Sequence, residues 1–350
     1  MTLFSGAKIV IDRILLAGLG SIGMRHLRLV RDSFPKARIM VLRHSQSHEV
    51  PAGADYCTTS LDECLAFAPQ IAIIATPAPF HAAPAIALAR AGVHLLVEKP
   101  MAATVCDASA LAHAAEAAGV VLQIGYNLRF LESLMVFRTA VLSGQIGRVA
   151  SVRAEVGQYL PDWRQGADWR QAVSARAVLG GGVLLELSHE LDFLRWILGE
   201  IRTVRGWVGQ QGGFGLDVED TAHAVLEFAQ PVPQGASGAA PVAAVTLDFI
   251  RRDTVRSCVA IGEAGTLFWD GVASEVWLRL PDAADRVLHD TKASCDATYI
   301  AQLDAFVTKV ERGASAGADG ADGLAVVEII AALKRSAAQC GIAVMPGATE

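Results

Sequence analysis

The sequence predicts an α/β plus α+β architecture: an N-terminal doubly wound parallel sheet, then a domain built on an open, mainly antiparallel β-sheet with helices. Short apolar runs alternate with helical stretches from Arg13 to Ile124, the rhythm of a parallel sheet covered on both faces. A glycine-rich turn follows the first run. Beyond residue 200, strand-like runs succeed one another without a helix between them, which antiparallel pairing allows.

The elements follow in order. Residues 13–18 (RILLAG) form an apolar run ending at glycine, as a buried parallel strand does. Ser21 to Arg31 has apolar residues near helical spacing at Ile22, Leu27 and Val30. Further strands are expected at residues 38–42, 71–75, 93–97 and 120–124, with helices at 82–91 and 106–118 closed by Gly92 and Gly119. After Gly125 the pattern changes. Arg148 to Tyr159 alternates like a half-exposed strand, and Val183 to Leu198 reads as one helix with a dense apolar face. Strands follow at residues 203–208, 222–228, 243–250, 256–261 and 266–269, with 231–241 (PVPQGASGAAP) an exposed hairpin loop. Helices at 299–312 and 324–340 flank a small, polar stretch, residues 313–323.

A chain of 350 residues suits two domains. The division expected is 1–125 for a nucleotide-binding unit and 126–350 for a substrate-binding and oligomerisation unit, with the last helices free to pack back on the first. Apolar residues make up 52% and charged residues 19%, the profile of a chain with a large core. A net charge of −6 argues against nucleic-acid binding, which needs clustered Lys and Arg to replace counterions. The six cysteines form no C-x-x-C pair or Cys/His cluster, so neither a metal site nor a disulfide framework is expected. The apolar N-terminus is broken by Lys8, Asp12 and Arg13, unlike a signal peptide, and no uncharged stretch is long enough to span a membrane. The expected location is the cytoplasm.

Gly18-Leu19-Gly20-Ser21-Ile22-Gly23 is a G-x-G-x-x-G string that follows a strand and opens a helix, the context that makes it a dinucleotide-binding fingerprint of a Rossmann domain. Gly18 permits the tight turn, Gly20 lets the backbone approach a pyrophosphate, and Gly23 lets the helix pack close to the strand. The N–H groups of Ser21 and Ile22 then face the phosphates. An acid at the end of the second strand would select NAD; here stand Arg43 and Ser45, a donor fork and a hydroxyl suited to a 2′-phosphate. The cofactor expected is NADP in preference to NAD, unless Arg43 merely stacks on the adenine and either binds. Thr76 and Pro77 end a strand at the edge where ligands lie. His81 either faces the cofactor or caps the following helix.

Glu98-Lys99-Pro100 closes another strand at the same edge. A positive nicotinamide ring beside Lys99 makes its amine a better proton acceptor, as alcohol oxidation requires. The fingerprint, Ala75-Thr76-Pro77, Glu98-Lys99-Pro100 and Gly180-Gly181-Gly182-Val183-Leu184-Leu185-Glu186-Leu187-Ser188-His189-Glu190-Leu191-Asp192 occur in this order. Together they resemble the glucose-fructose oxidoreductase / inositol dehydrogenase / MocA (Gfo/Idh/MocA) family over nearly the whole chain. The resemblance implies an open C-terminal sheet, a homo-oligomer, Lys99 and His189 flanking the reacting carbon, cofactor contacts from Glu98 and Lys99, and a cis peptide before Pro100. It usually includes an Asp four residues before the histidine. Leu185 stands there instead, and Glu186, three residues before on the same helical face, is the candidate replacement. His189 is the candidate general acid/base, because imidazole titrates near working pH.

The resemblance also places Tyr126 and Arg129 in the substrate cleft. Arg129 either binds an anion or makes an interdomain salt bridge. Tyr159 and Trp163, near Asp168 and Trp169, either stack on a sugar or anchor a loop; Asp192 is a further candidate sugar contact. The function expected is hydride transfer between nicotinamide and a hydroxyl or keto carbon of a sugar, sugar acid or nucleotide sugar. An NAD-dependent glycosidase and a non-catalytic NADP-binding sensor are the alternatives.

Overall fold

A computed structural model describes residues 10–44, 49–163, 168–313 and 317–348. Its first sheet contains β1 (Arg13–Ala17), β2 (Arg38–Leu42), β3 (Tyr56–Thr58), β4 (Ile71–Ile74), β5 (His94–Val97) and β6 (Leu122–Ile124), all parallel. Helices α1 (Ser21–Ser33), α2 (Leu61–Phe67), α3 (Ala82–Arg90) and α4 (Val105–Ala118) lie between these strands. After α5 (Glu132–Leu142), the second sheet begins with β7 (Val149–Gly157). Two helices, α6 (Val183–Glu186) and α7 (His189–Leu198), precede the rest of that sheet. Its remaining strands are β8 (Ile201–Gly209), β9 (Thr221–Phe228), β10 (Val242–Asp248), β11 (Val255–Gly262), β12 (Thr266–Asp270), β13 (Glu275–Arg279) and β14 (Arg286–His289). The chain closes with α8 (Ala297–Arg312), β15 (Ala318–Asp319) and α9 (Gly320–Ala338).

The strand orders are β15-β6-β5-β4-β1-β2-β3 and β14-β13-β12-β11-β7-β10-β9-β8. The second sheet is antiparallel throughout except where β10 runs parallel to β7. The strand alternation of side chains builds two cores. Ile14 and Leu16 of β1 face α1 and the returning α8, whose Leu303 and Phe306 are buried against them. Leu15 and Ala17 face the other way, into a core that runs through α3 and α4 to the inner face of the second sheet. The C-terminal segment thus completes the first sheet: β15 pairs antiparallel with β6, and α8 covers one face.

The expected helix over residues 183–198 is two helices, with Leu187 and Ser188 between them. The Glu190 N–H, which an unbroken helix would aim at the Glu186 carbonyl, sits 3.5 Å from the Leu187 carbonyl instead. The Glu186 carbonyl accepts from Lys99 Nζ at 2.7 Å. At the break, Lys99 thus meets the carbonyl that an unbroken helix would pair with the Glu190 N–H.

Candidate active site

The site lies where the C-terminal edge of the first sheet meets the start of α7. At that edge Gly18 has φ +96°, and a Cβ there would sit 2.6 Å from the Ala75 carbonyl oxygen. A Cβ on Gly23 would collide with the Gly18 carbonyl, whereas one on Gly20 would meet nothing within 4 Å. The turn is closed on its protein side and open at Gly20, and α1 begins there with no side chain capping its first N–H groups. Beside it, Thr76 Oγ1 is enclosed without a partner. A bare helix N-terminus, an open glycine and an orphaned hydroxyl fit a pyrophosphate and the groups attached to it. At the end of β2, Arg43 directs one Nη toward the Glu49 carbonyl at 3.4 Å. Ser45 lies outside the described residues.

Lys99 projects from the end of β5, and the Lys99–Pro100 peptide is cis. Its bond to the Glu186 carbonyl brings the lysine to the end of α6, three residues before His189. The His189 ring stands edge-on to Tyr126, with centroids 5.6 Å apart, and its Nδ1 is enclosed without a partner. Burial, with help from the positive charges of Lys99 and Arg256, holds the imidazole pKa well below its usual value. At neutral pH it is therefore a neutral proton acceptor. Next to it, Glu190 is fully buried, paired with Arg256 Nε at 2.8 Å, and pushed upward in pKa by burial.

Several residues expected to touch ligand do other work. His81 is buried, with Nε2 2.6 Å from the Thr76 carbonyl and Nδ1 3.1 Å from that of Pro100; it makes no side-chain cap and ties two loops together. Glu98 is also buried, and both its oxygens are engaged by protein groups. The Glu186 carboxylate accepts from Ser174 Oγ at 3.0 Å, and the helix break removes the shared face that was to bring it to His189. It is the main-chain oxygen of Glu186 that enters the site.

Tyr126 is fully buried and braces His189 from behind. Arg129 and Asp192 are paired with each other, through Arg129 Nε and Nη2 at 3.0 and 2.7 Å. Arg129 also reaches Asp322 at the start of α9, at 2.9 Å. Arg129 is thus engaged in buried salt bridges, though with carboxylates of its own 126–350 unit rather than across the expected domain boundary, and each Asp192 oxygen already accepts one of its hydrogen bonds. Trp163 packs edge-on against Phe249, Trp169 against Phe214, and Tyr159 lies under Arg252.

Sequence reasoning missed His26, Glu190 and Arg256. The signal for His26 was its place on the buried stripe Gly23, His26, Leu27, Val30 of α1, where an imidazole needs a partner.

The chain matches the description "Oxidoreductase family, NAD-binding Rossmann fold" over residues 13–126. It matches the GFO/IDH/MocA C-terminal domain over residues 135–268. The protein belongs to the GFO/IDH/MocA oxidoreductase family. It is 35% identical to the 1,5-anhydro-D-fructose reductase of Ensifer adhaerens over 157 residues, covering 44% of this chain and 46% of that protein. It is 25% identical to the inositol 2-dehydrogenase of Burkholderia multivorans over 320 residues, 88% of each. Its fold is similar to that of a levoglucosan dehydrogenase in complex with NADH, with a TM-score of 0.82 and 22% identity over 96% of this chain and 99% of that one. The chain spans about half the length of curated relatives such as the reductase.

Proposed function

We propose that the protein is a nicotinamide-dependent dehydrogenase or reductase. It moves a hydride between the cofactor and a hydroxyl or keto carbon of a sugar, sugar acid or nucleotide sugar. One observation carries this reading: Lys99, delivered by the dinucleotide sheet, meets the end of α6, three residues before a neutral His189. The sugar- and polyol-directed names of relatives support the substrate class. Arg43, with no acid at the end of β2, supports a preference for NADP over NAD. The cytoplasm is the proposed location; among the described residues no helix is long and apolar enough to cross a membrane.

Bound nicotinamide supplies the hydride acceptor or donor. Gly18, Gly20 and Gly23, with the N–H groups of Ser21 and Ile22, would hold its phosphates, and Thr76 and Pro77 would lie beside it. In oxidation the Lys99 ammonium donates a hydrogen bond to the substrate oxygen, and His189 takes the hydroxyl proton. In reduction the protonated imidazole returns that proton. The enclosed His189 Nδ1 leaves Nε2 as the nitrogen for this exchange.

The outer face of the second sheet supports a homo-oligomer. Trp207, Val225 and Val242 lie about 40% exposed on neighbouring strands of one face, beside the Arg205–Glu227 ion pair. A second copy of the chain is the proposed occupant. Light scattering is expected to give a multiple of 36.9 kDa, reduced to the monomer mass in Trp207→Arg; a wild-type monomer would refute it.

The catalytic assignment is tested by screening sugars, sugar acids and nucleotide sugars at the nicotinamide absorbance band with both cofactors. Net NADP(H) turnover is expected, and Lys99→Ala and His189→Ala should each lose about 10²–10⁴ in kcat. Rates close to wild type in both variants would remove the assignment, and a strong preference for NAD would remove the reading of Arg43.

A further inference from the structure

Glu98 is a buried acid one residue from Lys99, and both its carboxylate oxygens are engaged by protein groups. Its Oε1 is 2.6 Å from His26 Nε2, and its Oε2 accepts the Lys99 main-chain N–H at 3.1 Å. Both side chains are nearly closed to solvent, at 2% and 9% exposure for His26 and Glu98. Burial alone would raise the Glu98 carboxyl; the hydrogen bond and charge of His26, then Lys99, outweigh it and hold the acid below its usual range.

The socket is built from separate segments. His26 lies on α1, the helix that opens at the dinucleotide turn. Tyr299 of α8 presses edge-on against the imidazole with centroids 5.8 Å apart, and Arg25 covers the Tyr299 ring at 4.9 Å. On the other side the carboxylate lies against Gly125, where a Cβ would come within 2.8 Å of Oε2. Only glycine leaves the acid room to sit there.

We infer that His26 is a positioning residue for Lys99: it holds Glu98 on the main chain of the lysine and so fixes Lys99 relative to the cofactor-binding helix. The lysine is then gripped at both ends, at its N–H by Glu98 and at Nζ by the Glu186 carbonyl. Without His26, Glu98 is a buried charge lacking its main partner. The other cation that acts on it is the Lys99 ammonium, and a carboxylate that turns to it withdraws the amine from substrate. The inference deepens the proposed dehydrogenase reading and rests on Lys99 acting there.

The test compares full-length His26→Leu with His26→Gln, whose amide nitrogen can reach Glu98. Three quantities are measured: dinucleotide affinity, the separate kcat and KM for substrate, and the rate at which Lys99 is acylated by acetic anhydride, followed by mass spectrometry. In His26→Leu, dinucleotide affinity and KM are expected to stay within about threefold, while kcat and Lys99 acylation both fall about tenfold. His26→Gln should recover most of both. If His26→Leu does not fold, His26→Asn, polar but too short to reach Glu98, takes its place with the same expectation. Unchanged kcat and acylation in the Leu or Asn variant would overturn the inference, as would a Gln variant just as impaired. A wild-type protein without turnover would instead count against the proposed reaction; the acylation rates would still decide the role of His26.

Discussion

Glycines 20 and 23 differ by three positions and carry opposite burdens. A methyl at Gly23 collides with the main chain of Gly18, whereas a methyl at Gly20 enters open space. Gly23→Ala should therefore cost about 1–3 kcal/mol of stability by overpacking. Gly20→Ala should change stability by about 1 kcal/mol or less yet weaken dinucleotide binding, because the methyl occupies the approach of the pyrophosphate. Denaturant melts and nucleotide titration of both variants separate the two roles; equal stability losses would contradict the assignment.

His189 gives a second residue-scale prediction. Its pKa is depressed on folding, so in the window below about 6.5 the unfolded chain takes a proton that the native chain does not. Stability is lost as pH falls through that range. Asp192, raised to about 6 by burial, works in the opposite sense, so the comparison must be between variants. His189→Asn should lose less stability than wild type between pH 7 and 5, measured by thermal melting at each pH; parallel curves would show that His189 titrates normally. Lys99, His189 and the glycine turn could be singled out from the sequence because each belongs to a local string with a chemical reason, and the fold brings them to one edge. The partners of Glu98, Arg129 and Asp192 were not, since they come from residues 63 to 193 positions away or from another helix.

At the scale of elements, the long apolar strands and helices of the first sheet were readable from periodicity. The segments missed were short or mixed: β3, α2, α5 and β13 to β15. The split between α6 and α7 was invisible because the apolar spacing runs through it unbroken, and the lysine that meets its Glu186 carbonyl comes from 87 residues away. What joins α7, α9 and the segment after β6 is the ion network of Arg129 with Asp192 and Asp322, to which Arg195 adds a further contact to Asp322. Arg129 is only 4% exposed at its side chain, so its removal strands a buried carboxylate. Arg129→Ala should cost about 3–5 kcal/mol in denaturant unfolding, with Asp192→Asn in the same background recovering part of it. A loss under about 1 kcal/mol would show that the network is a surface-like pair of little weight.

For the whole molecule, the C-terminal segment packs back on the first sheet, at whose C-terminal edge the candidate site lies. It supplies α8 and β15 to the first sheet, and its Asp322 holds the Arg129 network. The second sheet carries α7 on its inner face, which presents His189 to the edge where Lys99 emerges. The central claim is that a pyridine dinucleotide lies across the Gly18–Gly23 turn with its reactive ring opening on the space between those two side chains. The most direct measurement is a crystal structure of the protein with bound NADP(H). The ring is expected over that space, with Thr76 and Pro77 beside it and the phosphates on the N–H groups of Ser21 and Ile22. Phosphates seated away from the glycine turn, or a ring remote from both Lys99 and His189, would contradict the account.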